Sequence, residues 1–99
     1  MRGGMTTYIA LVHKDEGTSY GVSFPDVPGC IAAGDTFEAA VADAAEALTA
    51  HFALMKADGD PIPPSRSFEQ LRGDPQFVDG STDAIVTMVT PRTAMAAAK

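Results

Sequence analysis

Residues 37–56 carry an apolar stripe that only a helix can display. Phe37, Val41, Ala44, Leu48, Phe52 and Met55 recur at steps of three and four, while Glu38, Glu46, Thr49 and Lys56 lie largely off that stripe. Asp35 followed three residues later by Glu38 has the form of a capping box, and Gly59 with Pro61 supplies the stop. A chain of 99 residues is one domain with a single modest core, so this helix must bury its stripe against whatever the rest of the chain builds.

The rest alternates with a period of two. In Tyr8–Lys14, Tyr8, Ala10 and Val12 fall on one face and Ile9, Leu11 and His13 on the other. Both faces are apolar, which predicts a strand that is central or covered on both sides. The turn "DEGTS" leads to a second strand over residues 20–24, with Tyr20, Val22 and Phe24 as its large-residue face. Residues 30–33 form a short third strand ended by Gly34, and residues 84–90 a fourth ended by Pro91. Between helix and last strand, "DPIPPSRS" is a stiff extended connector, after which Ser67 caps a short helical turn, "FEQLRG". The tail "RTAMAAAK" is too short to be a stable helix alone. The expected order is β-β-β-α-β: an α+β domain over residues 1–99, with its core at about 6–90, in which one main helix covers a small sheet.

Little in this sequence points to catalysis. The only histidines, His13 and His51, share no metal-ligand spacing with the single cysteine, Cys30. No glycine loop suited to phosphate follows a strand. Among the acids, Asp15 and Glu16 read as turn residues and Asp35 with Glu38 as a cap, leaving Asp26 as the carboxylate with no evident structural task. One such acid does not make a two-metal site, so no cofactor and no metal are expected.

Seven basic residues against thirteen acidic ones give a net charge of −6. Such a surface repels phosphate backbones and suits a basic partner, although mild acidity also serves plain solubility. One cysteine cannot form an internal disulfide and fits a reducing compartment. No apolar run approaches the ~20 residues of a membrane span, and "MRGGMTTYIA" lacks a secretory core, so the expected location is cytoplasmic. A domain this small buries only part of its surface, and self-association into a homo-oligomer would help it.

The segment joining the sheet to the helix is "VSFPDVPGCIAAGDTFEAA". Its elements are Tyr20-Gly21, Phe24-Pro25-Asp26, Pro28-Gly29-Cys30 and Gly34-Asp35-Thr36, with "PIPPS" after the helix. In this order and position they resemble the N-terminal domain of the HicB family of antitoxins, over roughly residues 7–89. The resemblance implies a partial ribonuclease-H-like fold without nuclease activity. It also implies a partner, a small basic mRNA-cleaving toxin of the HicA type, that the domain binds and neutralises. The corner formed by Phe24, Pro25, Asp26, Pro28, Gly29 and Cys30 is the expected partner-binding site. Two prolines there restrict the loop before docking, or else merely guide the chain between two strands. Many members continue into an operator-binding module, whereas only residues 91–99 follow the fourth strand here, so DNA binding by this chain is expected to be weak. Two other readings compete. One is a magnesium-dependent nuclease on the same scaffold, which would need several acids converging on one sheet face. The other is an interaction domain without a toxin.

Overall fold

β1 (Tyr8–Lys14) is the strand on which the rest of the molecule is assembled. It pairs antiparallel with β2 (Tyr20–Ser23) on one side and with β4 (Ile85–Val89) on the other, and β2 pairs with β3 (Ile31–Gly34). The sheet order is therefore β3-β2-β1-β4, antiparallel throughout. These elements come from a computed structural model that describes residues 6–14, 17 and 19–91. The turn acids Asp15 and Glu16, the start of the chain and the tail 92–99 lie outside the described residues.

One long helix, α1 (Phe37–Ala57), crosses one face of the sheet. Its buried residues are Ala40, Ala44, Ala45 and Leu48, flanked by the half-buried Phe37, Val41 and Phe52. The expected stripe is the packing face, with its centre shifted onto the small alanines. Small residues let helix and sheet approach closely, and Gly34 sets the limit: a β-carbon there would collide with the backbone of Ala39 and Ala40.

The start of α1 differs from the sequence reading. Thr36, not Asp35, is the N-cap: its backbone is extended and its hydroxyl accepts the Ala39 N–H at 3.0 Å. Glu38 instead lies in the first turn, where its charge complements the helix dipole. The end is as expected. Gly59 has φ +78, its N–H reaches the Lys56 carbonyl, and the Asp60 N–H reaches that of Met55, as in a Schellman motif. Smaller adjustments concern β2, which ends at Ser23, and β3, which begins at Ile31.

The opposite face carries two short helices, α2 (Phe68–Leu71) and α3 (Pro75–Gly80). Ser67 caps α2 in a reciprocal box with Gln70. α3 was not foreseen, although Asp74 followed by Pro75 is a recognisable helix start: an N-cap acid, then a proline at the first helical position. Leu71 and Phe77 pack on Ile9 and Leu11, which explains why β1 is apolar on both faces.

Candidate partner-binding surface

The corner between β2 and β3 consists of two consecutive reverse turns. The Val27 N–H bonds the Phe24 carbonyl and the Cys30 N–H bonds the Val27 carbonyl, each at 3.2 Å. Pro25 and Pro28 occupy the second position of each turn, where a fixed φ is favourable. Gly29, at φ +90, fills the third position of the second turn, which calls for positive φ. The result is a three-residue rhythm. Phe24, Val27 and Cys30 point inward and are buried in the α1-side core, while Pro28 and Gly29 are exposed and Pro25 is half-exposed.

Asp26 has a structural task after all. Its Oδ2 accepts the backbone N–H of Arg66 and its Oδ1 accepts Arg66 Nε, both at 2.7 Å, and its side chain is only 7% exposed. Arg66 Nη1 continues to Asp74 Oδ2 at 3.0 Å, and Asp74 Oδ1 caps α3 through the Gln76 N–H. This Asp26–Arg66–Asp74 chain ties the corner, the proline-rich connector and α3 into one unit. The two carboxylates raise the pKa of Arg66, and Arg66, more than the Gln76 N–H, holds the Asp74 carboxyl below the usual carboxylate range. The connector is anchored further where Tyr8 Oη donates to the Pro63 carbonyl at 2.6 Å and Ser65 Oγ donates to the Thr7 carbonyl at 2.7 Å. Burial, then the nearby charge of Asp26, pushes the Tyr8 phenol up.

Of the six residues expected to meet a partner, Phe24 and Cys30 thus belong to the core and Asp26 is engaged by Arg66. Burial raises the pKa of the Cys30 thiol. Pro25, Pro28 and Gly29 keep accessible surface. Reading the sequence alone missed Arg66 and Asp74.

Two depressions flank this network on the α2/α3 face. A cleft of about 170 Å³ lies beside Phe24, Pro25, Arg66, Asp74 and Phe77. A larger groove of about 560 Å³ runs between α2 and β4, lined by Ile9, Phe68, Gln70, Val86 and Met88 among others. Its accessible surface is mostly apolar, with Arg66, Gln70 and several hydroxyls also in the lining, and it is open: Phe68 is 48% and Met88 62% exposed. Among the described residues, no group of three or more His, Cys, Asp or Glu side chains could hold a metal ion. None of the described helices is long and apolar enough to cross a membrane. The site has the character of a docking surface: a rigid corner, a part-buried ionic clamp and a largely apolar groove.

Known proteins resemble this chain in sequence or in fold. A protein of Haemophilus phage HP1, known only as a 14.9 kDa product of its rep-hol intergenic region, is 43% identical over 70 residues, covering 71% of this chain and 50% of that protein. The antitoxin HicB of Burkholderia pseudomallei superposes with a TM-score of 0.72 at 29% identity, over 86% of this chain and 62% of that one. A chain of the HicA3 and HicB3 toxin–antitoxin complex superposes with a TM-score of 0.69 at 26% identity, over 89% of this chain and 98% of that one. The chain thus spans about half the length of the phage relative and under two thirds of the Burkholderia antitoxin. A family profile described as the HicB-like antitoxin of bacterial toxin–antitoxin systems matches residues 8–98. With the sheet, the helix and the corner all inside that match, the chain belongs to the HicB-like antitoxin family.

Proposed function

We propose that this domain is a cytoplasmic antitoxin module that binds and neutralises a small, basic, mRNA-cleaving toxin of the HicA type by protein–protein contact, with no enzymatic activity of its own. The observation that carries the reading is the superposition on nearly the whole of a chain from a HicA3–HicB3 complex. The charge of −6 supports it, because a toxin that attracts RNA attracts an acidic protein as well. We read the β-β-β-α-β order as a partial ribonuclease-H-like scaffold used for display. Phe24, Asp26 and Cys30 hold the corner in shape from beneath, and Pro25, Pro28 and Gly29 present its outward surface to the toxin.

The test is kinetic. A HicA-type toxin should bind the purified domain and lose its mRNA cleavage at equimolar ratio. Association should slow as salt rises from about 50 to 500 mM while dissociation changes less, because screening acts mainly on long-range steering. Absence of binding at ~10 μM would overturn the proposal. So would magnesium-dependent RNA cleavage by the domain itself that vanishes in Asp26→Asn.

A further inference from the structure

The sheet face that carries α2 and α3 is only half covered. Paired residues align across it as Val86, Leu11, Ser23 and Ile31, and one step along as His13, Gly21 and Ala33. Leu71 and Phe77 pack on Leu11, and the His13 ring meets the Gly80 carbonyl at 3.1 Å, so the α2/α3 layer is seated over β1. Beyond β1, Gly21 and Ser23 are half-buried, Ala33 is exposed and Ile31 is 73% exposed. These four residues of β2 and β3 make a shelf, three small side chains around one apolar knob.

Nothing inside this chain requires a glycine at position 21. Glycine weakens a strand, and where it occurs inside one it marks a bulge, a tight bend or the close approach of another backbone or ligand. Gly34 fits that rule, because a β-carbon there would strike Ala39 and Ala40. Gly17, Gly29 and Gly59 are needed for their positive φ. Gly21 has none of these reasons. Its φ is not positive, and its pairing with His13 and Ala33 runs without a bulge. A β-carbon there would meet nothing within 4 Å beyond its chain neighbours. Among the described residues, no group uses the space that Gly21 leaves free.

We propose that this shelf is where the toxin sits: a segment of it lies flat on Gly21, Ser23 and Ala33, too close to admit a side chain at position 21, with Ile31 as the apolar anchor. The inference rests on the antitoxin reading and says where the two proteins meet. Continuity and charge select the occupant. Ile31 follows directly on the Pro28-Gly29-Cys30 corner, so corner and shelf present one continuous surface. The shelf itself carries no charge, and its margins are acidic. At the β3 edge the Asp43 carboxylate holds the Ala33 N–H at 3.1 Å. On the other side Ser23 shares the 170 Å³ cleft with Arg66 and Asp74, where one guanidinium is set against the two carboxylates of Asp26 and Asp74. A basic partner thus finds an apolar centre inside an anionic rim, the layout of an interface with a central anchor.

Calorimetric titration of a HicA-type toxin into the full chain and three variants tests this. Gly21→Trp should melt no lower than the wild type, because its side chain enters open space, yet bind the toxin about 100-fold more weakly. Ile31→Ser should lose about 30-fold in affinity, as the truncation of an anchor does. Leu54→Ser removes a side chain of similar exposure, 66%, from α1 and should stay within about twofold of the wild type. Wild-type affinity in Gly21→Trp overturns the shelf and leaves the antitoxin reading intact, whereas a wild type that does not bind overturns both. Should Gly21→Trp lose its fold, amide resonances of the wild-type chain decide. On toxin addition those of Gly21, Ser23, Ile31 and Ala33 should shift while that of Leu54 stays in place. Shelf resonances that do not move overturn the proposal.

Discussion

The two faces of the sheet are held by different means. Under α1 the seal is volume: Leu48, Ala40 and Ala44 are fully buried against Ala10, Val12 and Val22, with Phe24, Val27 and Cys30 packed in from the corner. Under α2 and α3 the core among the described residues is small, Leu71, Phe77, Ile9 and Leu11 with Ala84 against them, and a polar clamp from Asp26 through Arg66 to Asp74 holds that side in place. The first face has little left to offer a partner, whereas the second keeps an apolar groove open beside a fixed corner. A small domain can be stable and still have a docking surface by assigning the two tasks to opposite sides of one sheet.

That contrast can be broken by paired truncations. Leu48→Ala should be the most damaging, at about 3–5 kcal/mol by chemical denaturation, because a fully buried leucine in a closed core leaves a cavity that cannot collapse. Leu71→Ala removes an equally buried side chain and should cost less, about 2–3 kcal/mol, since the thin layer around it can relax or admit water from the neighbouring groove. Equal losses would mean that both faces are packed alike. Asp26→Ala sharpens the comparison from the polar side. It leaves the Arg66 backbone N–H without its acceptor, and a loss of about 1–3 kcal/mol is expected. Any loss of toxin affinity in this variant should then track the loosened corner, and matched melting curves would separate the two effects.

The smallest effect concerns pH. The Asp74 carboxyl has a lowered pKa in the folded state, so it contributes stability above its unfolded value that fades as pH falls below about 4. Tyr8 has a raised pKa, so its contribution is present at neutral pH and is lost as pH rises beyond about 10. Asp74→Asn should flatten the acid limb of a stability–pH curve, and Tyr8→Phe the alkaline limb. An acid limb unchanged by Asp74→Asn would remove the clamp from the account of that face.

The α1 face was far more legible in the sequence than its opposite. Periodicity is a local signal, and β1, β2 and α1 each carry it in full. The N-cap was displaced by one residue because Asp35 and Thr36 both suit that role, and backbone geometry decided for Thr36. Asp26 was misread for a different reason. Its partner Arg66 is 40 residues away in the chain, and nothing in the spacing of either residue announces the pair. The corner motif was legible as a stiff turn, but which of its residues face inward followed only from the two consecutive turns that bury Phe24, Val27 and Cys30. α3 could have been found from Asp74 and Pro75.

The central place of β1 has a consequence for how the chain acquires its shape. The strand made first is completed by the strand made last: Thr7 and Thr90, 83 residues apart, meet through their hydroxyls where β1 and β4 come together. While the chain is being synthesised, the β2–β3 side can pair early, since those partners are close in sequence. β1 keeps one side bare until Val89 has left the ribosome. Closing so long a loop is slow compared with local pairing, and the interval leaves the β4-side backbone edge of β1 open to unintended neighbours. The order of synthesis thus makes the groove face the last part of the domain to exist.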